Sequence, residues 1–201
     1  MRIPMVDLVA QYRDLQPQLE PAFLSALNAA QFILGPNVQA FEKEAADYLG
    51  VKHAITCANG TDALHLALLA ADIGPGDEVI TSPFTFIATA EAIAYVGAKA
   101  VFVDIDPRTF NIDVEQARRA ITPKTKMIIF SSPCNPSGSV MSESELLAWK
   151  NVLIKYPNIF ILSDEIYEKI NYAGKHCSLA SYPELEGRIA VINGMSKGYA
   201  M

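Results

Sequence analysis

The segment IFILSDEIY, residues 159–167, decides the fold class of this 201-residue chain. Its apolar residues follow one another without alternation, which is typical of a strand covered on both faces by other elements. Five further short runs are predicted strands as well: HAITCA (53–58), DEVITS (77–82), AKAVFVDI (98–105), KMIIFSS (126–132) and IAVIN (189–193). Turns and helical patterns separate these runs, so the sequence predicts a three-layer α/β/α fold with a mainly parallel sheet.

Helical patterns fill the first fifty residues and several connections between strands. Residues 12–33 and 38–48 have helical spacing of apolar positions, and Gly35-Pro36 breaks the chain between them. Three further helices are predicted between strands, one ending near Ala71, one from about Ile87 to Tyr95, and one within residues 107–126. We therefore divide the chain into an N-terminal helical segment, residues 1–50, and an α/β domain, residues 51–201.

The composition is typical of a globular cytosolic protein. Hydrophobic residues make up 51% of the chain, and the formal net charge of -6 comes from dispersed acidic residues without a basic run. Nucleic-acid binding requires a basic surface, so we expect no nucleic-acid partner. The N-terminus carries charges and prolines where a secretory signal needs apolar residues, and no apolar run is long enough to cross a membrane, so we expect a cytoplasmic location and no membrane partner.

The three cysteines, Cys57, Cys134 and Cys177, indicate neither disulfides nor a zinc site. Their number is odd, and their spacing does not match metal-binding motifs. We therefore expect them to be ordinary small side chains, and we expect no metal ion.

The ends of the predicted strands carry the residues with chemical potential, because ligands of open parallel sheets bind at the carboxyl ends of the strands. HAITCA is followed by Asn59-Gly60-Thr61-Asp62, which leads directly into a helix. Free backbone amides, a hydroxyl and the positive end of a helix dipole would together bind a phosphate or another anion. The same four residues also suit a plain turn and helix cap.

An aromatic and an amide position follow two other strands. DEVITS is followed by Pro83-Phe84-Thr85-Phe86, which offers either an aromatic face at the same edge or two core residues. KMIIFSS is followed by the stretch Pro133 to Gly138, a rigid turn that holds Asn135 at the strand end. Asn135 could equally bond to its own backbone as a turn former.

A carboxylate and an amine follow the last two strands. Asp164 comes directly after IFILS, and a buried carboxylate needs a cation or donors, such as a protonated pyridine nitrogen. A helix N-cap is the alternative role. Lys197 follows IAVIN, where partial loss of solvation would make its amine a nucleophile toward an aldehyde; the alternative is a solvated lysine. Anion site, aromatic ring, amide, carboxylate and amine on one edge together predict a pyridoxal phosphate site.

Two families of aminotransferases are recognisable in the motifs. Residues 3–129, with IPMVDLVAQYRDL, FILGPNVQAFEKEAADYLGV, CANGTDALHLAL and SPFTFIATAEAI, resemble the DegT/StrS nucleotide-sugar aminotransferases. Residues 132–201, with PCNPSGSVMSESEL, FILSDEIYEKI and INGMSKGYAM, resemble the class I, aspartate-type aminotransferases. Both groups have the fold-type I architecture of pyridoxal phosphate enzymes. The chain therefore resembles a chimera, or a truncated half-chain, whose two parts join within ITPKTKMII (121–129).

The resemblance implies catalytic roles for three residues. Lys197 would form the internal aldimine with pyridoxal 5'-phosphate and carry the proton during transamination. Asp164 would pair with the pyridine nitrogen and keep it protonated, so that the ring acts as an electron sink. Tyr167 would tune the aldimine and, together with Asn135, hydrogen-bond the phenolic oxygen of the cofactor.

The resemblance also implies which residues hold the rest of the cofactor. Gly60, Thr61, Asp62 and Ser196 would bind the phosphate region, and Phe86 would stack on the ring. Relatives continue beyond the lysine with a phosphate-binding arginine, a further strand and a small domain that grips the substrate carboxylate. That further strand would lie between HAITCA and IAVIN, so we predict either direct pairing of these two strands or association of the chain through the gap.

Three functions are compatible with the sequence. The first is a pyridoxal-phosphate-dependent aminotransferase that moves an amino group from an amino acid to a keto acceptor, with a homodimer implied by the resemblance. The resemblance of the first part of the chain implies a keto sugar nucleotide as the acceptor, and the resemblance of the second part implies a keto acid. The alternative is a catalytically silent scaffold with at most weak cofactor binding. A Rossmann-like nucleotide-binding module is the third, but no G-x-G-x-x-G turn opens the first helix of the α/β domain.

Overall fold

The chain is described by a computed structural model that covers residues 5–172 and 174–201. It divides into two compact units, Met1–Thr56 and Cys57–Met201. Within the described residues, no helix combines enough length with enough apolar character to cross a membrane.

The first unit contains two helices, α1 (Leu8–Ala29) and α2 (Pro36–Leu49). Asp7 caps α1, where its side chain accepts a hydrogen bond from the Ala10 amide at 3.0 Å. Pro36 begins α2, a position at which the missing amide hydrogen would have no helical partner in any case. The two predicted helices are confirmed, but α1 begins and ends four residues earlier than expected and α2 already begins at Pro36.

The second unit is built on a five-stranded sheet in which every neighbouring pair of strands is parallel. Its strands are β1 (Glu78–Thr81), β2 (Lys99–Phe102), β3 (Thr125–Ser131), β4 (Phe160–Asp164) and β5 (Ile189–Ile192). They lie in the order β2-β1-β3-β4-β5. The predicted mainly parallel sheet is confirmed.

Helices cover both faces of this sheet, as predicted. They are α3 (Gly60–Ala70), α4 (Ala88–Tyr95), α5 (Val114–Ala120), α6 (Glu143–Leu153) and the short α7 (Met195–Gly198), and two 3₁₀ turns lie at Leu179–Ser181 and Pro183–Leu185. The helix expected within residues 107–126 is shorter than that range, because Asp113 caps it by accepting the Gln116 amide at 2.9 Å.

The core consists of two apolar layers, one on each face of the sheet. Successive strand residues alternate between the layers: Val79 faces α3 and α4, whereas Ile80 faces α5 and α6. In the second layer, Trp149 of α6 is fully buried and stacks on Phe130 with ring centroids 5.8 Å apart. Both faces are therefore covered, which explains why the strands lack polar alternation.

Residues 53–58 form no strand, so the prediction for HAITCA is wrong. Thr56 instead donates its amide and its hydroxyl to one oxygen of Glu42, at 2.8 and 2.7 Å, and Ile55 is 85% exposed. A strand forms only where a neighbour accepts its backbone hydrogen bonds, and a carboxylate takes that role here.

The predicted pairing of HAITCA with IAVIN is therefore wrong as well. Within the described residues, β5 pairs with β4 alone and forms an edge of the sheet. Association of the chain through this edge stays a prediction.

Candidate active site

The carboxyl ends of β4 and β5 lie side by side and carry the predicted carboxylate and amine. Asp164, the last residue of β4, is in register with Ile192, the last residue of β5. The chain after β5 then packs on the turn after β4: a Cβ atom on Gly194 would lie 3.1 Å from Ile166 Cδ1. The segment that bears Ser196 and Lys197 therefore lies at the same edge of the sheet as Asp164.

Lys197 lies in α7, and its side chain is exposed. The neighbouring Gly198 lies so close to Lys169 that an added Cβ atom would be 2.9 Å from Lys169 Cβ, which fixes the helix against the turn. Within the described residues Lys197 forms no ion pair with Asp164, so more than 4.0 Å separates the amine from the carboxylate.

Asp164 is a largely buried carboxylate. Burial raises its pKa from the usual 3.8, the amide of Ile166 at 3.2 Å acts in the opposite direction, and the charge of Glu165 raises the pKa further. Among the described residues no cation pairs with it. The alternative role as a helix N-cap is wrong, because a turn rather than a helix follows β4. The side chain therefore favours a cationic ligand.

Asn135 and Tyr167 meet across the ends of β3 and β4. The Asn135 amide nitrogen lies 3.4 Å from the Tyr167 hydroxyl oxygen. A tight turn holds Asn135 in place: the amide of Gly138 donates to the carbonyl of Cys134 at 2.7 Å, and the positive φ of Gly138 suits a residue without a side chain. The structure thus brings together the two groups that the family resemblance assigns to one ligand oxygen.

The N-terminus of α3 has the form of an anion site. Asn59 caps the helix: its side chain accepts the Asp62 amide at 2.9 Å, and its carbonyl accepts the Ala63 amide at 3.0 Å. The amides of Gly60 and Thr61 are the remaining donors of the first turn. Because α3 leads into the start of β1, its N-terminus lies toward the carboxyl edge of the sheet. Asn59 also donates to the Asp62 carboxylate at 3.0 Å.

The aromatic residues after β1 differ in burial. Phe86 is 58% exposed, so the alternative that both phenylalanines belong to the core is wrong for this residue. Phe84 is half-buried and packs against Phe110 with ring centroids 6.2 Å apart. Phe86 is therefore the ring that remains free to cover a ligand.

The sequence analysis did not predict a buried hydrogen-bond network that centres on Glu165. Glu165 is only 3% exposed, and its carboxylate accepts hydrogen bonds from Ser163, Ser178 and His176. Ligand atoms of Glu165, Glu168 and His176 lie within 4.8 Å of one another, but Glu165 and His176 already bond directly at 2.7 Å. No motif signals this network, because His176 is eleven positions from Glu165 and no spacing rule connects them.

A small cavity of about 20 Å³ lies between the ends of β1 and β3 and was also missed. Asn111 lines it and is 3% exposed. Its amide nitrogen donates to the Val140 carbonyl at 3.3 Å and to Glu145 at 2.9 Å, whereas its Oδ1 has no hydrogen-bond partner within the described residues. This volume suits only a single water-sized group.

Comparison with protein families assigns the chain. Residues 14–140 match the model of the DegT/DnrJ/EryC1/StrS aminotransferase family. The chain belongs to this family. The resemblance of its first part is therefore confirmed.

Individual relatives include aminotransferases of both kinds. The chain is 49% identical over 127 residues to the UDP-2-acetamido-2-deoxy-3-oxo-D-glucuronate aminotransferase of Pseudomonas aeruginosa, an alignment that covers 63% of this chain and 35% of the relative. It is 42% identical over 137 residues to the aspartate/prephenate aminotransferase of Nitrosomonas europaea, which covers 67% and 34%. Among solved structures, DesV of S. venezuelae in complex with a ketimine intermediate matches with a TM-score of 0.70 and 31% identity, over 81% of this chain and 42% of DesV.

The DegT/DnrJ/EryC1/StrS chain spans about a third of the length of the curated relatives it matches. Its family and the aspartate aminotransferases depend on pyridoxal phosphate. The residues present fit that cofactor, because Asp164 is a largely buried carboxylate that favours a cation and the amides of Gly60 and Thr61 suit a phosphate.

Proposed function

We propose that this chain carries the cofactor-binding half of the active site of a pyridoxal-phosphate-dependent aminotransferase. The reaction would move an amino group from an amino acid to a keto acceptor. The single observation that carries the proposal is the arrangement at one sheet edge: Asp164 is largely buried without a cationic partner among the described residues, and the segment of Lys197 packs on the turn that follows it. Family membership and the similarity to both kinds of aminotransferase support it.

The polar residues would hold the ring of the cofactor by its charged atoms. Asp164 would accept a hydrogen bond from the protonated pyridine nitrogen, which would relieve the cost of burying its charge. Asn135 and Tyr167 would share the phenolic oxygen, since their polar atoms lie 3.4 Å apart. Phe86 would cover one face of the ring.

The phosphate would bind where the second unit begins its first helix. Gly60 and Thr61 would donate their backbone amides, and the Thr61 and Ser196 hydroxyls would add donors. Asp62 would act indirectly, because its amide is already bonded to Asn59 and its carboxylate accepts from the same side chain.

Lys197 would be the catalytic amine. When bound, pyridoxal phosphate supplies an electron sink for the charge that develops at the substrate Cα atom. The Lys197 Nζ atom would accept the proton from that Cα atom and would donate it again later in the transfer. Its exposure leaves the amine accessible to both cofactor and substrate.

Substrate class, assembly and origin belong to this proposal as well. We infer a small-molecule amino donor and a keto acceptor, and the relatives support a keto sugar nucleotide and a keto acid alike. The proposal also includes a homodimer, a cytoplasmic location and a chimeric origin with the junction in residues 121–129. The family match to residues 14–140 supports the sugar-aminotransferase character of the first part.

A catalytically silent scaffold of the same fold is the second candidate. The exposure of Lys197 favours it, because the amine is open to solvent and no described ion pair holds it at the ligand site.

Covalent capture of the cofactor separates the two. We expect pyridoxal phosphate to produce a visible absorbance band with the purified chain, and borohydride to fix the cofactor to the peptide that contains Lys197, as read by mass spectrometry. Lys197→Ala should abolish both signals. Lys126→Ala is the matched control. Lys126 is an exposed lysine near the amino end of β3, whereas Lys197 lies at the carboxyl ends of the strands. Capture at Lys197 without amino transfer from glutamate would leave a cofactor binder without catalysis, and no capture would contradict the proposal.

A further inference from the structure

Glu165 is more deeply buried than any other charged residue of the described part of the chain. It directly follows Asp164 and precedes Tyr167 by two positions, yet the proposed function gives it no task. A buried carboxylate is costly unless several donors satisfy it. Its partners therefore indicate what it does.

Three side chains bond to the Glu165 carboxylate. Oε1 accepts hydrogen bonds from the hydroxyls of Ser163 at 2.8 Å and Ser178 at 2.6 Å. Oε2 lies 2.7 Å from His176 Nε2, and this pair is nearly closed to solvent, with side-chain exposures of 4% and 14%. The short distances are typical of hydrogen bonds to a charged acceptor.

Glu165 also connects three backbone segments through hydrogen bonds. Its amide donates to the carbonyl of Ile192 at the end of β5, at 2.9 Å, and its carbonyl accepts the Glu168 amide at 2.9 Å. Ser178, which it binds through the side chain, begins the 3₁₀ turn at Leu179–Ser181. Glu165 thus connects β4, β5 and the segment 176–178 at the point where the turn after β4 leaves the sheet.

We propose that Glu165 is a positioning residue, which with Ser163, Ser178 and His176 fixes the turn 164–167 so that Asp164 and Tyr167 face the ligand site. This inference rests on the proposed function for the identity of the ligand. Glu165 touches neither cofactor nor substrate in this arrangement, because both of its carboxylate oxygens bond to these three side chains. It acts by restricting the backbone on both sides of Asp164.

The charges around His176 agree with this assignment. The hydrogen bond to Glu165 raises the pKa of His176 above its usual 6.5, burial acts in the opposite direction, Glu165 and Glu168 raise the pKa further by their charges, and Lys169 lowers it. Protonation strengthens the bond between the imidazolium and Glu165. The ring titration of His176 therefore reports directly whether the network is formed.

The first test needs no cofactor. We compare the wild-type chain with Glu165→Gln by following the His176 ring through NMR pH titration. The glutamine amide would donate to His176 Nε2 and favour the neutral ring, so the His176 pKa should fall below that of the wild-type chain. Glu184→Gln is the control, because Glu184 is half exposed and pairs with Lys150 instead. An unchanged His176 titration in Glu165→Gln would overturn the proposal.

The second test measures the backbone. Glu165→Ala leaves two hydroxyls and an imidazole without an acceptor, so hydrogen exchange at the amides of Ile166 and Glu168 should accelerate by about tenfold or more. Ser178→Ala removes only one hydrogen-bond donor and replaces Glu165→Ala in this test if that variant does not fold. For Ser178→Ala we expect a smaller acceleration of hydrogen exchange at the same two amides. Exchange that stays within about twofold of wild type in the folded variants would contradict a positioning role.

The third test links the network to the ligand. Glu165→Ala should weaken pyridoxal phosphate binding by about tenfold or more, while Glu184→Gln should leave it unchanged. If the wild-type chain does not bind the cofactor, the proposed function fails, whereas the titration and exchange results still decide the network. Stoichiometric binding of Zn²⁺ that abolishes the His176 titration would assign Glu165, Glu168 and His176 to a cation site and overturn the proposal.

Discussion

Asp164 shows, at the scale of a single residue, how the burial of one carboxylate links the stability of the folded chain to the binding of a cation. Its side chain is largely buried, and a backbone amide is its only described hydrogen-bond donor. Burial of a carboxylate without a cation destabilises the folded chain, and a cation within contact distance removes that cost. Stability without cofactor and affinity for cofactor should therefore respond to Asp164 in opposite directions.

Replacement of Asp164 by asparagine should stabilise the cofactor-free chain and weaken pyridoxal phosphate binding. Because the folded-state pKa of Asp164 is raised above 3.8, the cost of ionisation is absent below about pH 3.8 and develops as the pH rises to the folded-state value. The gain in stability should therefore be larger at pH 8 than at pH 4. We expect about 1 kcal/mol at pH 8, measured by urea unfolding. Asp72→Asn, at an exposed position, should change stability little. A loss of stability in Asp164→Asn would contradict this account.

His176 should make the stability of the chain depend on pH. Its pKa is raised, chiefly by the hydrogen bond to Glu165, so the stabilisation is fully present below the usual 6.5 and is lost as the pH rises through the folded-state pKa. The difference in unfolding free energy between the wild-type chain and His176→Asn should therefore be larger at pH 6 than at pH 9. His53→Asn provides the comparison, because His53 is exposed. Equal differences at both pH values would show that the pair contributes nothing through its charge.

At the scale of elements, α6 shows how a local signal and a distant contact combine. Ser142 and Glu145 form a capping box: the Ser142 hydroxyl accepts the Glu145 amide at 3.3 Å, and Glu145 accepts the Ser142 amide at 2.8 Å. The second oxygen of Glu145 accepts the Asn111 amide nitrogen from thirty-four positions away. The cap is visible in the sequence as Ser-x-x-Glu, whereas the contact to Asn111 depends on the fold.

Removal of the capping hydroxyl should destabilise the chain by a predictable amount. We expect Ser142→Ala to cost about 1 kcal/mol in unfolding free energy, because the Glu145 amide loses its acceptor. Ser144→Ala, two positions later, is the control without a cap bond to the backbone. Chemical denaturation of both variants measures the difference, and equal stabilities would show that the box contributes nothing.

At the scale of the whole molecule, the sheet of the second unit has two edges, formed by β2 and β5. The two core layers cover the two faces of this sheet and belong to the second unit. An edge strand presents unpaired backbone groups, which favour pairing with another strand. Along β5, Arg188 and Ile192 bond to β4 through their carbonyls, so the intervening Val191 directs its amide and carbonyl outward.

The chain should associate through β5, and proline at Val191 should prevent it. Val191→Pro removes an outward amide donor without touching the bonds to β4. Sedimentation equilibrium should show a concentration-dependent dimer for the wild-type chain and a monomer for this variant. Ala100→Pro is the matched control, because Ala100 holds the equivalent outward position on β2. A wild-type chain that stays monomeric at all concentrations would rule out association by this edge.

The sequence by itself determined five of the six predicted strands, the parallel sheet and the residue types at its carboxyl edge. Uninterrupted apolar runs predict buried strands because each residue contacts one of two covered faces, and the residue after each run must then lie at the strand end. This local logic located Asn135 and Asp164, and the family motifs agree with it.

Only the tertiary structure decided what depends on a distant partner. HAITCA has the composition of a strand, but no described neighbour pairs with it, and Thr56 bonds to Glu42 instead. Glu165 gained its role from Ser178 and His176, and Asn135 met Tyr167 across thirty-two positions. Hydrogen bonds between separate elements form only after the chain has packed, so their partners are set by the fold and leave no spacing signal in the sequence.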